Sequence, residues 1–551
     1  MNEIFKIDGH LFEKMVIGGV LNLKANMNEV NDLNVFPIPD GDTGDNMFMT
    51  INGGVSYIKS VEENSLCLKA QALSKGMMLN ARGNSGVILS QLFSGISKGL
   101  VDLEEASINE FGLALKQGVA QAYSAVVEPV EGTILTVARE AVEYANKNIN
   151  ENSTINSYIE DYIYEMKQSL DRTPDLLATL KEAGVIDSGG AGLLYIALGF
   201  KDVLDGKEIK DVDIETNQYK QIDLSKFNED SVMEFGYCTE LLLQLQNIKV
   251  NPYKFNEQII IDYLNTIGES IVVFKTGTII KLHVHTLQPY KVLEFCQQFG
   301  EFLTIKIENM TLQHAETIAK EENKPAKNKV KKQFGVVTVA SGSGLINAFY
   351  EMGVDVVIDG GQCKNPSTQQ FLDAFDECNA EYIYVLPNNS NIILTAKEAK
   401  ELYNDANIYV VETKDFGQAY SALSMLDTAS KDPDVIYESL NESMEYAITG
   451  MITKSIRDAN INNVDIHEGD YIGFCNKTMH VSNTSKLDAY YGLIKKLVND
   501  EASFIINVFG KDVTEEEKEL VNKYLQEIYP MLEVYTIEGQ QEVYDFVIII
   551  E

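Results

Sequence analysis

The sequence predicts a multidomain protein: an all-α helical domain, then an α+β domain, then an α/β domain behind a basic linker. Three observations carry that division. Apolar residues recur at helical spacing through most of residues 1–207; residues 208–322 alternate strand-like and helical patterns; and after the Lys-rich stretch within 323–333, strand runs alternate with amphipathic helices over 334–551. The length of 551 residues fits three or four domains. The charge narrows the function classes: 45 Lys+Arg against 82 Asp+Glu leave −37. Such a surface repels phosphate backbones and anionic lipid, so nucleic acid and direct membrane insertion are not expected. No basic n-region with an apolar core opens the chain, and no run approaches the roughly 18–20 apolar residues of a membrane span. The six scattered cysteines contain no CxxC pair and read as reduced thiols. A cytoplasmic location follows as the expectation.

In the first domain the spacing predicts helices over Leu11–Val30, Ala70–Leu79, Val87–Leu100, Leu113–Val126 and Leu193–Val203. The joints between helices are unusual: PDGDTGDN, NARGNSG, PVEGTI and DSGGAG. Glycine-rich joints at several helix starts suggest that N-termini converge on one anionic ligand.

The acidic joint crowds Asp40, Asp42 and Asp45 into a few residues just before an apolar helix expected to start near Met47. Neighbouring carboxylates repel unless a cation sits among them, and hard oxygen ligands suit Mg²⁺. The alternative is an Asp-rich turn in which one aspartate caps the following helix. In Asn80-Ala-Arg-Gly-Asn-Ser-Gly-Val87, Gly83 and Gly86 leave room for phosphate oxygens against backbone N–H groups, and Asn84 and Ser85 add donors. Read alone, that stretch could be a simple helix start. Together the two joints describe a metal–nucleotide site. The GxxxxGK[ST] pattern is absent.

The second domain reads β-α-β-β-α-β: strand Phe235–Leu245, helix Lys254–Ile267, strands Ser270–Lys275 and Thr278–His285, helix Pro289–Phe299 and strand Phe302–Asn309. This is the ferredoxin-like order. Strand parity places Cys238, Glu240, His283 and His285 on the face opposite Leu241, Leu243, Leu282 and Val284. A thiolate and two imidazoles suit structural Zn²⁺, with His314 or water as the fourth ligand. The other reading is a plain sheet face with a buried cysteine and two surface histidines. In the third domain, Phe334–Ala340, Val354–Ile358, Glu381–Leu386 and Ile408–Glu412 read as strands of a parallel sheet. Met451–Val481 reads as antiparallel strands, and Tyr544–Ile550 as the closing strand. Asn365-Pro-Ser-Thr368 looks like a helix start with a hydroxyl cap. Ala340-Ser-Gly-Ser-Gly-Leu345 follows a strand and opens a helix, which reads either as a phosphate loop or as an ordinary glycine turn of an α/β domain.

The PDGDTGDNM, ARGNSGVILSQ, Glu131-Gly132-Thr133 and DSGGAGL elements resemble the ATP-binding domain of dihydroxyacetone kinases. Their setting is similar to the catalytic subunit of bacterial fatty acid kinase. The stretches VDVVIDGGQCKNPST and LPNNSNIILTAKEA resemble a DegV-like domain. The resemblance implies that Asp40 and Asp42 bind metal; Asp45 as a third ligand is an inference from its position. It further implies that Gly83, Asn84, Ser85 and Gly86 hold the triphosphate and that Thr133, Asp187, Ser188 and Gly189 wall the nucleotide. Asn46 joins the cofactor-binding candidates. The implied reaction is transfer of the ATP γ-phosphoryl group to a fatty acid carboxylate presented by a separate carrier, giving an acyl phosphate. A carboxylate is already ionised near pH 7 and needs no general base. His10, the only histidine before His283, lies outside the joints. Mg²⁺, the 83–86 amides and Arg82 are then required against the charge of two anions. Arg82 can equally be an exposed helix-start arginine or a structural ion-pair partner. The acidic surface calls for a carrier protein with a basic docking patch, and a homodimer is the expected assembly. Two other functions remain open: a dihydroxyacetone-like hydroxyl kinase, and a nucleotide-responsive regulatory protein.

Overall fold

The computed structural model describes residues 3–34, 41–207, 237–276, 278–309, 331–361, 364–427, 430–500 and 502–551. Asp40 and His314 lie outside the described residues, as do the side chains of Cys238, Glu240, His283 and His285. The chain forms two compact units: Met1–Ile214 together with Lys331–Glu551, and Glu215–Val330.

The N-terminal part of the larger unit is a helical assembly whose helices start at polar caps. Asp8 accepts from the Leu11 amide and opens Gly9–Ala25; Ser65 opens Leu66–Asn80; Ser107 and Glu110 form a capping box for Ile108–Ser124. Each cap satisfies amides that the first helical turn leaves without partners. The inward stripes meet in a core that includes Phe12, Met15, Met47, Ile51, Leu89, Phe111, Tyr158 and Ile196. Gly18 and Gly199 let helices Gly9–Ala25 and Ser188–Leu204 touch backbone to backbone; a Cβ on Gly199 would overlap the Gly18 carbonyl.

Several expectations need correction. The helix expected over 11–30 is two helices, Gly9–Ala25 and Met27–Asp32, because the chain leaves helical geometry at Asn26. The helix expected from Val87 begins at Gly83, so the glycine turn is its first turn rather than a loop before it. The helix expected near Met47 likewise begins at Thr43. Helices Ile134–Asn148 and Ile155–Leu176 were not expected; the second builds its buried stripe largely from Tyr158, Ile159, Tyr162, Ile163 and Met166. Nor is the domain purely helical: Lys6–Asp8 pairs antiparallel with Glu105–Ser107.

In the C-terminal part of the larger unit, strands Asn407–Val410, Ala380–Leu386, Lys332–Ala340 and Val356–Asp359 lie in that order as a parallel sheet. A second sheet of six strands runs Thr478–Asn483, Tyr471–Cys475, Ile448–Lys454, Phe546–Ile550, Phe504–Phe509 and Glu533–Glu538. Its last two strands are parallel and the rest antiparallel. Strand Glu533–Glu538 was missed, since alternate polar residues leave it largely exposed at the sheet edge.

The smaller unit has strands Gly268–Thr276, Ile279–Thr286, Tyr237–Leu245 and Gly300–Asn309 in that antiparallel order. With helices Gln258–Leu264 and Pro289–Gln297, the element order is β-α-β-β-α-β. Leu241, Leu243, Ile280, Leu282 and Val284 are buried with Ile260, Leu264 and Val292 from the helices. The backbone register sets Cys238 opposite His285 and Glu240 opposite His283. Among the described residues no group of three or more His, Cys, Asp or Glu is placed to hold a metal.

Candidate active site

All four glycine-rich joints become helix N-termini. Asp42, Arg82, Thr133 and Asp187 occupy the cap positions of helices Thr43–Lys59, Gly83–Gly99, Ile134–Asn148 and Ser188–Leu204. Specific contacts bring these ends together. Ser188 Oγ lies 3.2 Å from Thr43 Oγ1 and donates to Asn34 Oδ1 at 3.3 Å. Asp187 accepts from the Gly190 amide at 2.7 Å and from the Ile134 amide, so one carboxylate caps two helices. A Cβ on Gly189 would stand 3.2 Å from Ile134 Cβ. The positive ends of several helix dipoles therefore share one region, which favours an anion.

The turn at 83–86 is shaped for close backbone approach. Gly83 has φ +59°, and a Cβ there would lie 2.5 Å from Asn46 Nδ2 and 3.1 Å from Asn365 Nδ2. A Cβ on Gly86 would overlap the Thr50 hydroxyl, which donates to Asn46 O at 2.7 Å and accepts from the Arg82 amide at 3.2 Å. The Gly86 amide bonds back to Arg82 O, leaving the amides of Gly83, Asn84 and Ser85 without an intrahelical acceptor. Asn84 gives its Nδ2 to Ser390 O at 3.3 Å, while its Oδ1 is buried without a partner.

Asp42 stands beside this turn. Burial pushes its carboxyl up to about 7; hydrogen bonds from Asn46 and Asn365 act against that, and the Asp45 charge adds to it. The Asn365 bond is short, Nδ2 to Asp42 Oδ2 at 2.5 Å. Asp45 accepts from Asn31 Nδ2 at 2.6 Å. The Asn46 side chain is buried beneath the turn. Arg82 is not an exposed helix-start arginine: it is partly buried, which lowers its pKa, and its Nη1 donates to the Asn365 carbonyl at 2.6 Å. Among the described residues it has no carboxylate within salt-bridge distance. Thr133 turns its hydroxyl to Val130 O at 2.8 Å and does not cap its helix.

The arrangement brings together Asp42, Asp45, Asn46, Arg82 and the 83–86 turn, and links Asp187 and Ser188 to them through Thr43 and Asn34. Sequence reasoning missed Asn31, Asn34, Thr50, Asn365 and Asn389. Asn365 carried a signal, since the Asn365–Thr368 stretch was singled out, but only as a helix start; Ser367 and Gln370 do form a capping box there.

The residues fit a nucleotide with a hard divalent cation. The carboxylates are oxygen ligands of the type Mg²⁺ takes, the glycines at 83 and 86 let the turn's backbone pack where a Cβ would collide with Asn46 and Thr50, and the buried Asn84 Oδ1 lacks a partner.

Known proteins place the chain. Residues 37–202 match the DAK2 domain, residues 234–317 the middle domain of the FakA-like fatty acid kinase proteins, and residues 335–551 the C-terminal domain of the same proteins. Protein YloV of Bacillus subtilis is 37% identical over 98% of this chain and 99% of its own length. The chain belongs to the FakA-like fatty acid kinase family. An uncharacterised protein of Staphylococcus epidermidis is 34% identical over the full length of both chains. Among solved structures, similarity is found to the dihydroxyacetone kinase of C. freundii in complex with AMP-PNP and Mg²⁺, at 18% identity and TM-score 0.29, covering 36% of this chain and 35% of that one. The Streptococcus pneumoniae fatty acid kinase B3 protein loaded with linoleic acid matches at 10% identity and TM-score 0.27, covering 40% of this chain and 99% of that one. The family is a kinase family, and among the described residues no helix is long and apolar enough to cross a membrane.

Proposed function

We propose that this chain is the catalytic subunit of an ATP-dependent fatty acid kinase, acting on a fatty acid presented by a separate carrier protein with a basic docking patch. The observation that carries the reading is the pairing of Asp42 with the 83–86 turn through Asn46, within one cluster of helix N-termini. Asp42, with Asp40 and Asp45 beside it in sequence, would hold Mg²⁺. Bound Mg²⁺ would neutralise phosphate charge and fix the orientation of its oxygens. The Gly83, Asn84 and Ser85 amides are the donors for phosphate oxygens, and Asn46 lines the floor below them. Thr133, Asp187, Ser188 and Gly189 would wall the nucleotide.

An acceptor carboxylate oxygen attacks the γ-phosphorus, the bond to the β–γ bridging oxygen breaks, and ADP leaves with that electron pair. No proton needs removal, which suits four glycine-rich joints whose sequences contain no histidine. Arg82, bonded to a carbonyl and to no carboxylate among the described residues, keeps its charge for the anions. Zn²⁺ at Cys238, His283 and His285 and a homodimeric assembly belong to the same proposal and rest on the sequence. Asp42→Ala tests the mechanism: with ATP, Mg²⁺ and a fatty acid-loaded carrier, acyl phosphate formation should be lost, and its survival sinks the reading. Turnover of a small polyol without any carrier would instead favour a hydroxyl kinase.

A further inference from the structure

The helical and α/β parts of the larger unit meet at the phosphate turn, and the residue at that meeting point is Asn365. It is buried, at 3% exposure. Its Nδ2 donates to Asp42 Oδ2 at 2.5 Å and to Asn46 Oδ1 at 3.3 Å. Its Oδ1 accepts from Asn389 Nδ2 at 3.4 Å, and its backbone carbonyl accepts from Arg82 Nη1 at 2.6 Å. One residue thus touches both the carboxylate assigned to the cation and the guanidinium assigned to the phosphates.

Its placement is fixed from both sides. The Thr368 amide donates to Ala81 O at 3.2 Å, and Arg82 and Ser367 form an isolated antiparallel bridge. Further along the same contact, Asn84 reaches Ser390 O, and Gln91 gives its Nε2 to both carboxylate oxygens of Glu398 at 2.8 and 2.9 Å. Arg457 of the α/β part donates to Asp32 O at 2.8 Å and to Asn34 O. Asn34 and Asp42, which flank residues 35–40 in sequence, are therefore both held by the α/β part.

A carboxylate has acceptor capacity for about four hydrogen bonds, so the amides of Asn46 and Asn365 leave room for a cation. Partners of this kind orient a ligating carboxylate, and removing them weakens metal affinity by roughly 10–100-fold. A neutral amide does this without adding a charge that competes with the cation.

We infer that Asn365 is a positioning residue of the metal–nucleotide site, so that the site is a composite of the helical and α/β parts of the chain. The inference rests on the proposed nucleotide site. The test is calorimetric binding of a non-hydrolysable ATP analogue to the full chain, with and without Mg²⁺. Asn365→Ala should weaken Mg²⁺-dependent binding by about 10-fold or more and leave Mg²⁺-free binding nearly unchanged. Gln91→Ala loosens the same contact away from Asp42 and should leave both affinities nearly unchanged. Asn389→Ala, which removes the amide steadying Asn365 Oδ1 together with the acceptor of the Asn391 amide, leaves Asn365 itself in place; it should weaken Mg²⁺-dependent binding by a smaller factor and serves if Asn365→Ala does not fold. Unchanged or tighter binding in the Asn365 and Asn389 variants overturns the inference, as does an equal loss in Gln91→Ala. Failure of the wild-type chain to bind the analogue overturns the proposed site itself, and is thereby distinguishable.

Discussion

Replacing Gly86 by alanine sets two effects against each other at one atom. Gly86 lies in the first turn of helix Gly83–Gly99, and alanine there gains up to about 1 kcal/mol in helix propensity. The added Cβ, however, would overlap the hydroxyl of Thr50, a residue with no exposed surface. That hydroxyl cannot swing away freely, because it holds Asn46 O at 2.7 Å and the Arg82 amide at 3.2 Å. Overpacking costs roughly 1–3 kcal/mol, and stranding buried hydrogen-bonding groups about as much again. The net loss should be about 3 kcal/mol, a fall of ~6–12 °C in the melting temperature of the helical part. The assay is calorimetric melting of the full chain as wild type, Gly86→Ala, Thr50→Ala and the double variant. Thr50→Ala removes the obstructing oxygen, so the double variant should lie at least ~1 kcal/mol above the sum of the singles. A Gly86→Ala protein melting at or above the wild-type temperature would refute the steric reasoning, and additive singles would refute the assignment to Thr50.

Three further outcomes are expected. Lys69 is almost fully buried and donates to Glu13 Oε2 at 2.6 Å and Val61 O at 2.8 Å; Glu13→Ala should cost about 3 kcal/mol by leaving the ammonium without its anion, whereas Glu13→Leu with Lys69→Met should be close to neutral in the same melting assay. Burial pushes the Asp187 carboxyl up to about 6. A raised carboxyl contributes stability below its unfolded value near 3.9, and that contribution is lost as pH rises through 6, up to about 3 kcal/mol in all. Asp187→Asn, which keeps an oxygen acceptor for the helix caps, should therefore melt higher relative to wild type above pH 6 and show no such gain below pH 4. Chelation of divalent cations should abolish ATP-dependent acyl phosphate formation and Mg²⁺ should restore it, read by product formation; activity persisting in chelator would remove the role given to Asp42.

The parts of the site legible in the sequence are those encoded locally. Alternation at three and four residues marks an amphipathic helix wherever it occurs, and Gly83 and Gly86 mark a turn that excludes side chains, whatever lies far away in the chain. Helix starts were placed late because a phosphate-binding turn and a first helical turn share the same glycines: at Gly83 the polar stretch hid the helix within it. Asn365 was illegible for a different reason. It reaches Asp42 across 323 positions, and an asparagine before proline in a capped helix start looks the same whether its amide faces solvent or a buried carboxylate.

Neutral amides, of which the sequence marked Asn46 and Asn84 but not Asn31 and Asn365, explain how a chain of net charge −37 can build the proposed anion site at all. Lysines packed around Asp42 would satisfy its charge but would occupy the place a cation needs. Asn46 and Asn365 supply N–H donors to Asp42, Asn31 supplies one to Asp45, and none of them carries charge. Arg82 is held near the turn by a backbone carbonyl, which anchors the guanidinium without cancelling it. A carboxylate pairing with Arg82 would instead give a local ion pair with little attraction left for phosphate. The acidic composition thus excludes a standing field of positive charge, and the site works around it with helix N-termini, amides and one arginine kept unneutralised among the described residues.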